Sequence, residues 1–395
     1  MAEVVERADV VSYRLASHGL SLRAAPDQLL AVVGRCGIQN TPPGSALLAL
    51  HARAAKVGPD SIDRAIESRS LLLTWSMRGA PYYMPTSDAW VFTTGVLPTT
   101  DHAARHFVPG VEQAVDWLGM SLGEATDRVA DATSTVLRGR ELAINELGAE
   151  VAKVIAPTLT REQREVWTSE GPYAKGQPIG EAVVHFCVRL LALRGLVCFA
   201  PRSGNKAPFV LTNEWLGHPI DVMDPARARA ELLRRYLHAY GPSTRGDFAA
   251  WLGVQTGDVD PWWSLLDGEL AEVDYGGTRW MLTSELDSLR AASMPAGVRI
   301  LPPRDPYTQL RDRETIVAKK YHRDVWKSAG DPGTLLVDGE VVGIWRPRKS
   351  GRDLHLTFAT FGGLPNETRD ALDVEAASIA PLRGAASVST EFATY

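Results

Sequence analysis

Residues 226–283 read ARARAELLRRYLHAYGPSTRGDFAAWLGVQTGDVDPWWSLLDGELAEVDYGGTRWMLT, and the order of signals in that stretch decides the fold. A helix over Ala228 to Tyr240 must stop at Gly241-Pro242, because proline lacks the amide a helix uses and glycine readily leaves helical backbone. Ser243 or Thr244 caps a second, short helix carrying Phe248, Trp251 and Leu252, which Gly253 ends. A further helix follows at about Pro261 to Leu266. Leu270-Ala271-Glu272-Val273 and Thr278-Arg279-Trp280-Met281-Leu282 then make a hairpin around Tyr275-Gly276-Gly277. Three helices with a tight turn between the second and third, followed by a hairpin, spell a winged helix-turn-helix.

The same order recurs upstream, from Ile179 to Thr212. A helix with apolar Val183, Val184, Phe186, Cys187, Leu190 and Leu191 ends near Gly195. Leu196-Val197-Cys198-Phe199 and Pro208-Phe209-Val210-Leu211 then flank a polar tip, Arg202-Ser203-Gly204-Asn205-Lys206. A third copy is drawn near the N-terminus. There Val10 to Leu20, Asp27 to Val33 and Ser45 to Ala55 read as helices before a hairpin of Leu71-Leu72-Leu73-Thr74-Trp75 and Tyr82-Tyr83-Met84. Helices fill Asp101 to Pro157, and Thr160 with Gln163 has the spacing of a capping box. Beyond about Gly297 the texture turns to β. Thr334–Val337 and Val341–Trp345 flank the hairpin signal Asp338-Gly339, and Trp345 and Leu354–Phe358 flank a basic tip, Arg346-Pro347-Arg348-Lys349-Ser350-Gly351-Arg352. The expected architecture is α+β: three tandem winged helix-turn-helix units and a C-terminal β-barrel or small β-sheet. Its expected boundaries are 1–100, 101–215 (a helical connection with the second unit), 216–296 and 297–395.

A chain of 395 residues with 45% apolar and 23% charged residues can build several cores. No run approaches the roughly 18 apolar residues of a membrane helix, and the first residues lack the basic-then-apolar order of a signal peptide, so a soluble cytoplasmic protein is expected. Cys36, Cys187 and Cys198 are too widely spaced for a disulfide scaffold or a zinc site and read as reduced, buried thiols. Net charge is −5, yet Arg299 to Arg352 holds 12 Lys/Arg against 7 Asp/Glu. A basic segment beside an acidic body permits nucleic-acid binding.

Candidate chemistry is sparse. His102 and His106 share a helical spacing, but Ala103 stands where the base of a His-Glu-x-x-His metal motif belongs and no third ligand is near. No nucleophile elbow and no phosphate-binding loop appears. No metal, cofactor or nucleotide is expected. Trp262 and Trp263 read as core rather than as a stacking platform. The cations Arg346, Arg348, Lys349 and Arg352 crowd one short tip, where an anionic partner relieves their repulsion, and Arg202 and Lys206 are weaker contacts of the same kind. Finally, the polar triplet Gln39-Asn40-Thr41 sits between two apolar helices and is stopped by Pro42-Pro43, so its amide side chains are held on rigid backbone.

Several motifs together resemble one family over almost the whole chain. They are Tyr13-Arg14-Leu15; Gly37-Ile38-Gln39 leading to Leu47-Leu48-Ala49-Leu50-His51-Ala52-Arg53; Thr74-Trp75-Ser76-Met77-Arg78-Gly79; Leu301-Pro302-Pro303-Arg304-Asp305-Pro306-Tyr307 with Arg311-Asp312-Arg313; and Leu336-Val337-Asp338-Gly339 before Gly343-Ile344-Trp345-Arg346. They resemble the winged-helix DNA glycosylases typified by AlkZ and YcaQ, the AlkZ branch more closely. The resemblance implies a C-shaped body with a DNA channel, and excision of alkylated purines, bulky adducts of genotoxic natural products included. It also implies an active site of a glutamine, an apolar residue and a second glutamine, and here the sequence departs from the pattern. Gln39 is either the first glutamine, with Asn40 and Thr41 in the next two places, or the second, with Gly37 in the first place and Ile38 between.

An N7-alkylated purine is cationic and already a good leaving group, so the enzyme chiefly positions water and stabilises an oxocarbenium-like sugar. A neutral amide can do both, accepting through its carbonyl and donating through its NH2. The expected protein is therefore a monomeric, monofunctional glycosylase acting on alkylated purines in double-stranded DNA. Gln39 is the catalytic residue, with Asn40 and Thr41 as weaker candidates. The rival from another class is a non-catalytic lesion-binding or drug-sequestering protein on the same scaffold. A sequence-specific regulator is disfavoured, since no dimerisation segment is evident.

Overall fold

A computed structural model describes residues 3–202, 204, 206–221, 223–327 and 330–394. The chain divides into two compact units that alternate along the sequence: Met1–Leu71, Leu233–Trp251 and Leu266–Tyr395 form one, Leu72–Leu232 and Leu252–Leu265 the other.

In the first unit the N-terminal helix Arg7–Ser17 is followed by Leu29–Gly34 and Ser45–Arg53. Glu3–Val4 adds in parallel to the hairpin of Leu270–Asp274 and Thr278–Leu282, giving a three-stranded sheet. Val10 and Tyr13 of the first helix pack there against Val273, Met281 and Leu289, all essentially buried.

The C-terminal part of this unit is a five-stranded sheet whose strands are adjacent in chain order: Val298–Leu301, Gly333–Val337, Glu340–Ser350, Asp353–Thr360 and Ser387–Thr394. The first four run antiparallel; the last returns parallel to Asp353–Thr360 after the helix Asn366–Ile379. A closed barrel is one of the two forms expected from the sequence, and the sheet instead stays open at Val298–Leu301 and Ser387–Thr394. Its apolar face is already covered, because Leu372, Ala376 and Ile379 of that helix and Leu48 of Ser45–Arg53 bury Ile300, Leu335, Leu356 and Phe358. A sheet whose apolar face is sealed by helices has no need to curl onto itself. Asp338 and Gly339 both take positive φ (47° and 86°), the backbone of a two-residue hairpin turn. Gly333 is needed for space instead. A Cβ there would lie 2.0 Å from Trp345 Nε1, and that indole must pass close to donate to the Leu301 carbonyl at 2.7 Å.

In the second unit the helices Leu122–Val136, Ile144–Ile155 and Ile179–Leu193 pack on one another. Thr160 and Gln163 form the expected reciprocal cap, Gln163 N–H to Thr160 Oγ1 at 3.2 Å and Thr160 N–H to Gln163 Oε1 at 3.3 Å. Two short hairpins, Leu71–Trp75 with Pro81–Pro85 and Val197–Phe199 with Phe209–Leu211, stand at the positions expected from the sequence. Ser203 and Asn205 of the second tip lie outside the described residues. Trp262 and Trp263 are buried, as core residues should be. All three cysteines are free and buried; burial pushes the Cys36 thiol up to about 11 and Cys187 up to about 12.

Candidate active site and nucleic-acid interface

Gln39 closes the two-residue strand Ile38–Gln39 and is only 4% exposed. The turn that follows is built to hold it. Asn40 Oδ1 accepts the backbone amides of Gly44 (2.9 Å) and Ala46 (3.4 Å), so its side chain caps the helix Ser45–Arg53. Ser45 Oγ donates to the Pro42 carbonyl at 2.8 Å and, more weakly, to the Gln39 carbonyl at 3.4 Å. Asn40, a weaker candidate for chemistry, thus has its side-chain oxygen engaged in a cap. Thr41, half-buried, precedes Pro42 through a cis peptide bond. Upstream, Arg235 donates to the Gly34 carbonyl at 2.6 Å, and Arg35 donates to the Ser17 carbonyl at 2.8 Å, tying the segment to the end of the first helix. Gly37 takes φ +69°, a left-handed backbone that a glutamine adopts only with strain, which is a physical reason for the missing amide at that place.

Two ion pairs join motifs far apart in the chain, one buried at both ends and one at its arginine end. Arg53, at the end of the capped helix, makes a bidentate pair with Asp305 (2.6 and 2.8 Å) and donates to the Ala49 carbonyl at 2.9 Å. Side-chain exposures are 3% and 0%. Asp305 Oδ1 also accepts the Tyr307 amide at 2.9 Å. Arg14, 1% exposed, donates to the Gly241 and Pro242 carbonyls (3.2 and 2.9 Å) and to Asp312 at 3.0 Å. The motifs around Arg14, Arg53, Asp305 and Asp312 are thus the halves of two charge pairs in one core. His18 stands edge-on to Tyr240 (4.9 Å) and Tyr307 (5.6 Å) between ring centroids. Burial first, then the nearby Arg53 and Arg35, holds His18 well below the usual histidine range. His51, bonded to Ser378 Oγ at 2.9 Å, is brought down to about 4, mainly by burial and then by Arg23.

The basic tip differs from its sequence reading. Arg346 to Ser350 are strand, paired with Asp353 to Thr357, and only Gly351 and Arg352 remain as the turn. The pairing with Gly333–Val337 stops at Trp345, so from Arg346 onward the strand has one neighbour; at such an edge Pro347 is tolerated. Strand alternation then splits the cations. Arg346 and Arg348 stand opposite Thr357 and His355, while Lys349 stands opposite buried Leu354 and donates to the Arg383 carbonyl at 2.7 Å. Arg346 donates to the Gly330 carbonyl at 3.1 Å, and all four cations are exposed. In the other unit Arg202 is exposed, and Lys206 pairs with Glu146 at 3.0 Å, both ends in solvent.

Neither ion pair is foreseen by the sequence reading, although all four partners lie in motifs it singles out. Arg189 also escapes it. It sits on the helix Ile179–Leu193 with its guanidinium 5.3 Å from the Trp75 ring centroid.

With this geometry, the chain belongs to the AlkZ-like DNA glycosylase family, whose model, DNA glycosylase AlkZ-like, matches residues 33–382. Over 385 residues it is 27% identical to the interstrand DNA cross-link repair glycosylase of Streptomyces sahachiroi, covering 95% of this chain and 96% of that protein. The solved structure of Streptomyces sahachiroi DNA glycosylase AlkZ shares the fold, with a TM-score of 0.77 over 98% of this chain and 100% of that one, at 24% identity.

Proposed function

We propose that the protein hydrolyses the N-glycosidic bond of bulky, cationic alkylpurines of the N7-alkylguanine type in duplex DNA, interstrand crosslinks included, as a monomer without metal or nucleotide. The observation that carries this reading is Gln39: in a chain of this glycosylase family, one amide is held nearly buried on a turn tied down by the Asn40 side chain, before a helix that ends at the buried Arg53–Asp305 pair. Its carbonyl accepts from the attacking water and its NH2 donates to a sugar or phosphate oxygen. The leaving base already carries the positive charge, so orientation rather than strong acid–base chemistry limits the step. Arg346, Arg348 and Arg352 support the DNA backbone, Lys349 helps from the opposite face of its strand, and Arg202 and Lys206 add contacts through their hairpin, the wing of a winged helix. The work suits repair, or self-resistance to a genotoxic natural product.

A second reading, retention of the lesion without cleavage, is favoured by the lack of a second motif glutamine: of the two places it could hold, Gly37 has no side chain and Thr41 carries a hydroxyl rather than an amide. One experiment separates the two. Duplex DNA carrying an N7-alkylguanine is incubated with wild type and Gln39→Ala, and alkali-labile abasic sites are counted while thermal melts check the fold. Abasic sites that depend on Gln39 support the glycosylase; tight binding with no abasic sites leaves retention as the function.

A further inference from the structure

Within the second unit, away from Gln39 in the chain, lies a cavity of about 640 Å³, in the range of small-molecule sites. Its apolar wall is an aromatic triangle: Trp75 to Phe199 at 5.3 Å, Trp75 to Phe209 at 5.0 Å, and Phe199 to Phe209 at 4.4 Å between centroids. Phe209 is buried, whereas Trp75 and Phe199 are partly exposed. Arg189 lies against Trp75 and makes a long hydrogen bond to the His185 carbonyl at 3.4 Å. Among the described residues no carboxylate pairs with it, and burial lowers its pKa; a guanidinium stays charged in a protein. A half-buried guanidinium with no counter-ion is a standing electrostatic imbalance, which an arriving anion relieves. Lys206 lines the same cavity. Its ion pair with Glu146 is exposed at both ends, so the ammonium can turn to a second anion at little loss.

We propose that this cavity binds one nucleotide unit, its base stacked on the Trp75 ring and meeting the perpendicular Phe199 ring edge-on, and its phosphate held by Arg189 and Lys206. An aromatic face joined to a cation is the arrangement that takes a base and its phosphate together, without regard to sequence. The inference does not rest on Gln39, and it shares with the glycosylase reading only Lys206, which lines the cavity. The nucleotide is either a free nucleoside monophosphate or one unit of an unpaired strand.

The test titrates the full chain, by calorimetry at low salt, with dAMP, adenosine, inorganic phosphate and a single-stranded tetranucleotide. Expected is saturable binding of dAMP or of the tetranucleotide, at least tenfold tighter than adenosine or phosphate alone. Affinity falls about tenfold in Arg189→Gln and in Trp75→Leu. Lys206→Ala, a surface change that leaves the fold intact, weakens it several-fold, and circular dichroism reports on the other two variants. Saturation by dAMP identifies a free nucleotide as the ligand; saturation by the tetranucleotide alone identifies an unpaired strand. The proposal is overturned if neither binds, if adenosine or phosphate alone binds as well, or if Lys206→Ala and any folded variant bind like wild type. Abasic-site formation in duplex DNA is scored separately, so loss of one activity is not mistaken for loss of the other.

Discussion

Replacing Asp305 by alanine strands a charge. The carboxylate takes two bonds from the Arg53 guanidinium, at 2.6 and 2.8 Å, and both side chains are almost wholly enclosed. With charge centres about 4 Å apart and an effective dielectric near 20, the lost attraction is about 4 kcal/mol. After Asp305→Ala, Arg53 keeps only the Ala49 carbonyl for a charge that water cannot reach, so the expected destabilisation is about 3–5 kcal/mol. Arg53→Met leaves the carboxylate with the Tyr307 amide and should lose a similar amount. The double variant buries no charge at all. Its loss should fall short of the sum of the singles by about 2 kcal/mol or more, the signature of coupling in a double-mutant cycle. The assay is urea unfolding of the four proteins at 25 °C, followed by far-ultraviolet circular dichroism. Single variants within 1 kcal/mol of wild type, or a double variant as unstable as the sum, would refute the assignment of this pair as a buried, mutually dependent one.

Asn40→Ala removes the cap of the helix Ser45–Arg53 and should lower stability by about 1 kcal/mol, whereas Asn40→Asp keeps an acceptor and stays close to wild type in the same urea titration. Gly333→Ala drives a methyl into Trp345 and the Leu301 carbonyl, so about 1–3 kcal/mol is lost in thermal melts. Removing Arg346, Arg348 and Arg352 together should weaken duplex binding and flatten the plot of log K against log salt by about 0.9 for each phosphate no longer neutralised; an unchanged slope would place the DNA elsewhere. His51 is held near 4 when folded, below its ordinary unfolded value, so the unfolded chain takes up the proton first. Its contribution is present above about pH 6.5 and is lost as pH falls toward 4, and His51→Asn should reduce that acid sensitivity in melts run across the interval.

Local signals carry most of the secondary structure. Gly241-Pro242, Asp338-Gly339 and the Thr160/Gln163 cap each act within a few residues, and the elements they delimit appear in place. The strand Ser387–Thr394 has no such signal: its pattern is largely polar because it lies at the edge of a sheet, and its partner is reached only through the helix Asn366–Ile379. The basic tip reads as loop because Pro347 and four cations look like one, yet an edge strand with a single neighbour accepts both. At the candidate site, Gln39 and its rigid turn are legible from the double proline. The capping role of Asn40 is not, because an amide a few residues before a helix reads equally well as chemistry. Arg53 and Asp305 stand in motifs 252 residues apart, and no local rule joins them.

That separation also bears on how the protein is made. When Arg53 is added to the chain, its carboxylate partner is 252 residues from being synthesised, and most strands of the sheet that receives Leu48 are later still. At 5–20 residues per second Arg53 therefore waits roughly 10–50 s before its carboxylate partner exists. Translation that stops before the last strands yields a chain in which Leu48 of the helix after the glutamine turn lacks the sheet it packs on, and the buried charge pair at the end of this helix is completed only late in synthesis, however early Arg53 is encoded.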